Sequence, residues 1–261
     1  AFEVADQTFT GTTTMDVATV GGTLGVAGLV SPAAGITVVG STTVDDILLT
    51  AVALPGSGNP SIALRNSDNN IYVQTGSGNT LSLLDSSQNT MYSVSPTLHS
   101  FSISNSEKMR INSTGAVTKP AQPSFHVVKN ADQNNVAVGS SVTVVWQVES
   151  YDVGANFASN TFTAPVAGKY ILTASLRVDN SDSDSSHDDM AISTSNRLYK
   201  SIYDLGRLSG DPVYWTYQIN AVADMDAGDT AFVTFYQDGG TAQSDIKNDS
   251  GRTYFSGILV G

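Results

Sequence analysis

The sequence predicts an all-β protein in two parts, a β-rich shaft followed by a β-sandwich. Three observations carry this. Short apolar cores recur every 8 to 10 residues between positions 62 and 117, separated by clusters of Ser, Asn, Asp and Gly. Beyond a pair of prolines the strands lengthen, acquire aromatics and alternate apolar with polar residues. No segment past those prolines sustains a helical period, and alternation at period 2 is the mark of a strand with one buried face.

Residues 11–44 hold seven Gly, seven Val and eight Thr. Val and Thr favour pleated strands, and the spaced glycines permit frequent turns. One chain folding this stretch alone would bury almost nothing. Several identical chains wound around one axis would bury Val17, Val20, Leu24, Val26, Leu29 and Val38 against their own copies; a flexible Gly/Thr linker is the alternative. In the next stretch Val44, Ile47, Leu48, Ala51 and Val52 fall at helical spacing behind Thr43 as a cap, so residues 43–52 fit a short helix or a strand.

From Ile62 the apolar cores begin at Ile62, Ile71, Leu81, Met91, Phe101, Met109 and Val117. This spacing with intervening turn formers reads as a β-meander. Each core is thin, so its apolar face is expected to close against copies of the chain. The segment Lys119-Pro120-Ala121-Gln122-Pro123 biases the backbone to extended conformations and reads as a linker or hinge. After it come Val142–Val148, Lys169–Leu176, Tyr214–Ile219 and Ala231–Tyr236, each a period-2 strand. About eight to ten strands in this part suit a two-sheet antiparallel sandwich. The expected organisation is a Gly/Val/Thr-rich β shaft or attachment segment over 1–58, meander repeats over 59–118, a Pro linker over 119–123 and the sandwich over 124–261.

Composition narrows function. Only 14% of the residues are charged, against roughly a quarter in ordinary soluble domains, and the net charge is −12. Phosphate neutralisation needs clustered Lys and Arg, so nucleic acid is excluded as a partner, as is docking on an anionic membrane. No apolar run reaches the length of a transmembrane helix, so membrane insertion is not expected. The absence of Cys removes disulfides, thiolate metal sites and cysteine nucleophiles. No signal peptide is visible, and the initial Ala in place of Met points to a processed product or a fragment.

Two resemblances enter here. The run Phe157-Ala158-Ser159-Asn160-Thr161-Phe162-Thr163-Ala164-Pro165-Val166-Ala167-Gly168-Lys169-Tyr170 resembles the central signature of the C1q-like (TNF-like) jelly-roll family. Tyr151-Asp152-Val153-Gly154 ahead of it, and Ala227-Gly228-Asp229 and Tyr254-Phe255-Ser256-Gly257-Ile258-Leu259-Val260 after it, match further landmarks of the family in order. Ala155, Leu172 and Ala174 depart from it, standing where the family carries aromatics. The resemblance implies a tight homotrimer with its C-terminal strand near the axis. In the first half, Asn59-Pro60-Ser61-Ile62-Ala63-Leu64-Arg65-Asn66 and Ser106-Glu107-Lys108-Met109-Arg110-Ile111-Asn112-Ser113-Thr114-Gly115 resemble repeats of bacteriophage tail fibres and spikes, which implies a trimeric fibre shaft ahead of a C-terminal tip.

Candidate chemistry is sparse. His99, His126 and His187 are far apart in sequence and lie in no nucleophile or zinc motif. The adjacent pairs Asp45/Asp46 and Asp188/Asp189 point to opposite faces of a strand, so neither supplies the paired carboxylates of a glycosidase. No catalytic residue and no organic cofactor are expected. The acidic segment Asp179–Asp189 offers Asp182, Asp184 and Asp188 as hard oxygen ligands for Ca2+, or else forms a solvated loop between two strands. Tyr199, Tyr203, Tyr214 and Trp215 are the candidates for stacking on a receptor sugar; packing in the core or at a trimer axis is the other use for them. By analogy with the resembled families, the expected function is a non-enzymatic homotrimeric virion fibre. It would contact other virion proteins and adhere through several weak sites to a host-surface glycan or protein receptor, with attachment at the tail favoured over the capsid. A structural head fibre, decoration or connector protein is the alternative, and a secreted bacterial adhesin a third.

Overall fold

The computed structural model describes residues 61–65, 70–76 and 79–260. The expectations for the Gly/Val/Thr-rich stretch and for the helix or strand at 43–52 lie outside the described residues.

The first sheet is a meander of seven strands in chain order: β1 (Ser61–Arg65), β2 (Asn70–Gly76), β3 (Thr80–Leu84), β4 (Thr90–Ser95), β5 (Leu98–Ile103), β6 (Ser106–Asn112) and β7 (Val117–Thr118). Every apolar core of the sequence became one strand, and all neighbours are antiparallel. Turn chemistry sets the register. Ser104 and Asn105 both take positive φ, the two-residue turn whose twist matches a hairpin. Asp85 accepts hydrogen bonds from the backbone N–H of Ser87 and Asn89, closing the turn from β3 to β4. Asn112 does the same for Thr114 and Ala116, with Gly115 at φ +81°, which explains the Asn-Ser-Thr-Gly end of the Ser106–Gly115 string.

The register sorts the meander into two unlike faces. Val73, Leu83, Tyr92, Phe101 and Met109 line up across β2 to β6, and Leu81, Val94, His99, Ile111 and Val117 form the next row. Between those rows, on the other face, stand Gln74, Ser82, Ser93, Ser100 and Arg110. Leu81, Phe101, Ile103, Ile111 and Val117 are exposed.

The remaining strands are β8 (Ser124–Val128), β9 (Val142–Thr143), β10 (Val148–Val153), β11 (Phe157–Ala158), β12 (Thr161–Thr163), β13 (Gly168–Asp179), β14 (Ser185–Thr194), β15 (Leu198–Tyr203), β16 (Tyr214–Met225), β17 (Thr230–Gly239), β18 (Asp245–Ile246) and β19 (Tyr254–Leu259). One sheet runs β10-β8-β19-β13-β16 with β18 on β13; the other runs β11-β12-β17-β14-β15 with β9 on β17. From β12 onward the chain crosses repeatedly between the sheets, and the last long strand returns beside the first. That wrapping is a jelly roll. Among the described residues the only helix is one 3-10 turn, Leu205–Arg207.

The core lies between these sheets. Phe125 stacks on Phe162 and Phe157 at centroid distances of 4.6 and 5.2 Å and meets Phe255 edge-on at 4.9 Å. Tyr170 is buried with its hydroxyl donating to the Val166 carbonyl at 2.8 Å. Leu172 and Ala174, the departures from the resembled pattern, are both fully buried on the core face of β13. Ala155 sits in a turn at φ +54°.

One expectation changed. Val142–Val148 is extended but is not one strand. Val142–Thr143 pair with β17, the Val144 N–H donates to Val233, the Trp146 N–H donates to the Asn160 side chain, and the Gln147 N–H already reaches Val128 of the other sheet. The segment passes from one sheet to the other, so period-2 burial survives while the ladder partner changes. At the linker, the Gln122 side chain donates to the Leu259 carbonyl at 2.6 Å, and the Leu259 N–H donates to Pro123 at 3.0 Å. These bonds hold the second half of the proline segment to β19.

The crossing segment also covers Lys129. Its ammonium is buried and donates to the Val145 carbonyl at 2.8 Å. Burial pulls its pKa down to about 8, against the nearby Asp132, which acts the other way. Between about 8 and the ordinary value of 10.5 the unfolded chain therefore holds more protons than the folded one, and stability rises with pH across that window. Chemical denaturation at a series of pH values should show this rise. Lys129→Met should remove it.

Candidate binding surfaces

The alternation that fills the core leaves a second face on the β10-β8-β19-β13-β16 sheet. Pairing aligns Ile258, Ile171 and Val222 in one row, Tyr151, His126, Ser256, Thr173 and Asn220 in the next, and Val128, Tyr254, Ser175 and Gln218 in a third. Ile171 is 41% exposed, Ile258 44%, Tyr151 52% and Val222 60%. His126 stacks between Tyr151 and Tyr254, and burial lowers its pKa below the ordinary value, favouring the neutral ring. None of these positions carries Asp, Glu, Lys or Arg, in a chain of net charge −12. On the same face the pair Lys169–Asp224 bounds these rows at one end and Arg177 at the other; a partly apolar patch between charged margins of this kind marks an interaction surface.

The acidic segment is neither an open loop nor a gathered set of ligands. Asp182 is buried, and its Oδ2 accepts from the N–H groups of Ala242 and Thr241 at 2.7 and 2.6 Å, its Oδ1 from Asp184 at 2.8 Å. The Ala242 bond foremost holds its pKa below the usual carboxylate value. Gly240 lies so close, at φ +92°, that a Cβ there would stand 2.5 Å from Asp182 Oδ2. Asp188 occupies a core-facing position of β14, where the Tyr217 hydroxyl donates to it at 2.7 Å and the Ser185 hydroxyl at 3.1 Å. Burial pushes the Asp188 carboxyl up, and burial foremost, helped by Asp188, pushes the Tyr217 phenol far up. Asp179 pairs with Arg177, Asp189 is buried beside Lys200, and Asp184 alone of the three proposed ligands is exposed. Among the described residues no group of three or more acidic or His side chains is arranged to hold a metal ion. Within the segment expected as a solvated loop, Asp184 is exposed between β13 and β14, Asp182 is buried against Thr241 and Ala242, Asp188 faces the core from β14, and Asp189 is buried beside Lys200 on the outer face of that strand.

The signs of these two environments differ, with a measurable result. The raised pKa of Asp188 means that its contribution to stability is present below 3.8 and lost as pH rises through the folded value. The lowered pKa of Asp182 means the reverse, a contribution lost as pH falls through its folded value. At pH 7, Asp182→Ala should cost roughly 1.5–3 kcal/mol for its hydrogen bonds to a charged acceptor. Asp188→Asn should leave stability unchanged or higher and remove its share of the acid-range dependence, measured by urea melts at pH 3 to 7.

The four receptor candidates separate into two kinds. Tyr199 and Tyr203 are half-buried and donate to backbone carbonyls of β16, Val222 at 3.4 Å and Gln218 at 3.1 Å, so they brace the edge where β15 meets β16. The Tyr203 ring also meets Tyr217 edge-on at 4.5 Å. Tyr214 is 68% exposed with the Arg177 guanidinium 5.8 Å from its ring, and Trp215 is 39% exposed.

No family model matches this chain, and no curated protein does. Among solved structures it is similar to murine APRIL, at 14% identity and a TM-score of 0.40 over 53% of this chain and 99% of that one. It is likewise similar to the globular domain of zebrafish complement 1qA protein, at 16% identity and a TM-score of 0.40 over 54% and 98%. The assignment of the sandwich as a jelly roll rests on its strand order and pairing.

Proposed function

We propose that this chain is a non-enzymatic, homotrimeric virion fibre, favoured at the tail, whose sandwich is a tip that adheres to a glycan or protein receptor on the host surface. The observation that carries this reading is the presence of two apolar sheet faces left uncovered among the described residues, one on the meander and one on the sandwich, in a chain with few charges to keep such faces wet. Each is the surface a symmetric assembly of identical chains would cover. The resemblance of Ser106–Gly115 to fibre repeats and of Phe157–Tyr170 to a trimeric jelly roll supports the same arrangement. Adhesion then follows by avidity, with several weak sites per trimer and several fibres per particle.

Immunogold labelling of virus particles purified from the source of this sequence tests the location. Gold at the tail, together with binding of the fluorescent full chain to the cells the particle infects, is the expected result. Gold on the capsid without cell binding would replace this reading with a head fibre or decoration protein. Gold on no particle would favour the secreted adhesin.

A further inference from the structure

The outer face of the β11-β12-β17-β14-β15 sheet carries a hollow that none of the expected site residues lines. Three cross-strand rows make its floor: Asp189 with Tyr236, Lys200 with Ala191 and Thr234, and Leu198 with Ser193 and Phe232. Ala191 is the small residue at the centre of this grid, so the larger side chains around it stand up as a rim. The turn Gly139–Ser141 closes one side. The cavity measures about 450 Å3, within the range of roughly 300–1,000 Å3 for small-molecule sites.

The chemistry of the lining is specific. Asp189 is a carboxylate with only 6% of its side chain exposed. Its Oδ2 accepts from Lys200 at 2.6 Å, and its Oδ1 is buried with no hydrogen-bond partner among the described residues. His187 Nε2 stands 3.9 Å from that oxygen, too far for a hydrogen bond. A buried acceptor left unpaired is costly and rare in a folded protein, so it needs a reason. Among the described residues the hydroxyls of Ser141, Ser193 and Thr234 likewise make no hydrogen bond. Phe232 and Leu198 supply apolar surface beside them.

We infer that this hollow is a binding site for a neutral saccharide. The Asp189 carboxylate and the Lys200 ammonium cancel in charge, so the site has no net preference for an ion. Together they offer an acceptor and a donor side by side, the complement of a vicinal diol. A slight turn of the Asp189 side chain lets Oδ1 accept the diol proton, while the ring's C–H face rests on Phe232 and Leu198. The site lies on the opposite face of the sandwich from Ile171, Val222 and Ile258, so the assembly proposed above leaves it open. The inference deepens the adhesion reading and takes its biological role from it, while the binding chemistry stands on the cavity.

Saturation-transfer NMR on the full chain tests it, with the methyl glycosides of glucose, galactose, mannose and N-acetylglucosamine as probes and putrescine and N-acetylneuraminic acid as charged comparisons. At least one neutral glycoside should bind at millimolar concentration. Ser193→Trp, which fills the hollow from a surface position, should weaken that binding at least about tenfold, and Lys200→Ala should weaken it in parallel; thermal melts establish that both variants are folded. No transfer to any neutral glycoside, transfer to a charged probe alone, or binding that survives Ser193→Trp and falls with Tyr214→Ala would overturn the inference. Cell binding separates it from the adhesion reading: adhesion unchanged by Ser193→Trp, with no glycoside bound, sinks the site and spares the reading. Glycoside binding without adhesion does the opposite.

Discussion

The full chain is expected to sediment as a trimer of about 82 kDa, three times the 27.3 kDa of one chain, and the double variant Ile171→Asp, Val222→Asp as a monomer. Ile171, Val222 and Ile258 are each about half exposed on adjacent strands of one row. Covering what remains exposed contributes roughly 1 kcal/mol per side chain at about 25 cal/mol per Å2, several kcal/mol around a threefold axis. Two carboxylates per protomer replace that gain with six charges that must be desolvated beside one another, at a cost of several kcal/mol. Association should weaken by at least about a thousandfold, the equivalent of about 4 kcal/mol. Because both residues point away from the core, circular dichroism should remain that of an intact β protein. A wild-type chain that sediments as a monomer at micromolar concentration would sink the proposed assembly, and with it the reading of the meander's apolar face.

The second large effect is expected at Gly257, on the core face of β19. A Cβ there would stand 2.5 Å from Phe125 Cε1 and 2.8 Å from Leu172 Cδ2, inside the contact limit of both. Neither neighbour has room to retreat: Phe125 is held in the cluster with Phe157, Phe162 and Phe255, and Leu172 is fully buried. Overpacking of this kind costs about 1–3 kcal/mol, so Gly257→Ala should lower Tm by roughly 4–12 °C. Gly257→Val should do worse and yield little folded protein. Gly210→Ala is the comparison, since a Cβ at that position meets nothing within 4 Å, and it should change stability by less than about 0.5 kcal/mol. Equal melting temperatures for the two alanine variants in calorimetry would show that the cluster around Phe125 repacks freely.

Gly257 also shows what the glycine in the Tyr254–Val260 landmark does. Within the string it reads as one of several small residues near the C-terminus. In the folded chain it is the gap through which the Phe125 ring approaches the backbone of β19, which pairs with β8 and β13 at once. The site residues behave alike. In the sequence Asp182 is a candidate calcium ligand because it stands among other acids, yet two of the three N–H groups that donate to it belong to residues about 60 positions later. The sequence allows Tyr199 and Tyr203 to stack on sugar or to pack inside, and in the folded chain the carbonyls of β16 engage both of their hydroxyls. In the sequence Asp189 is half of an adjacent acidic pair. The sequence carries one signal for its role: Asp189, Ala191 and Ser193 alternate with Asp188, Met190 and Ile192, which puts a carboxylate, a gap and a hydroxyl on one strand face.

What the sequence by itself determined is the set of strands and which face of each is apolar. The seven meander strands, β13, β16 and β17 all appear where alternation and turn formers put them, because period-2 burial and residues that tolerate positive φ are properties of neighbouring positions in the chain. What only the tertiary structure decided is which strand pairs with which, and therefore what each polar side chain meets. The break in Val142–Val148, the burial of Asp188 against Tyr217, and the hollow between Gly139–Ser141, Asp189 and Phe232 all arise from segments tens of residues apart. Hydrogen bonds and desolvation act over a few ångströms in space, so their partners are named by the packing of the two sheets and not by order along the chain.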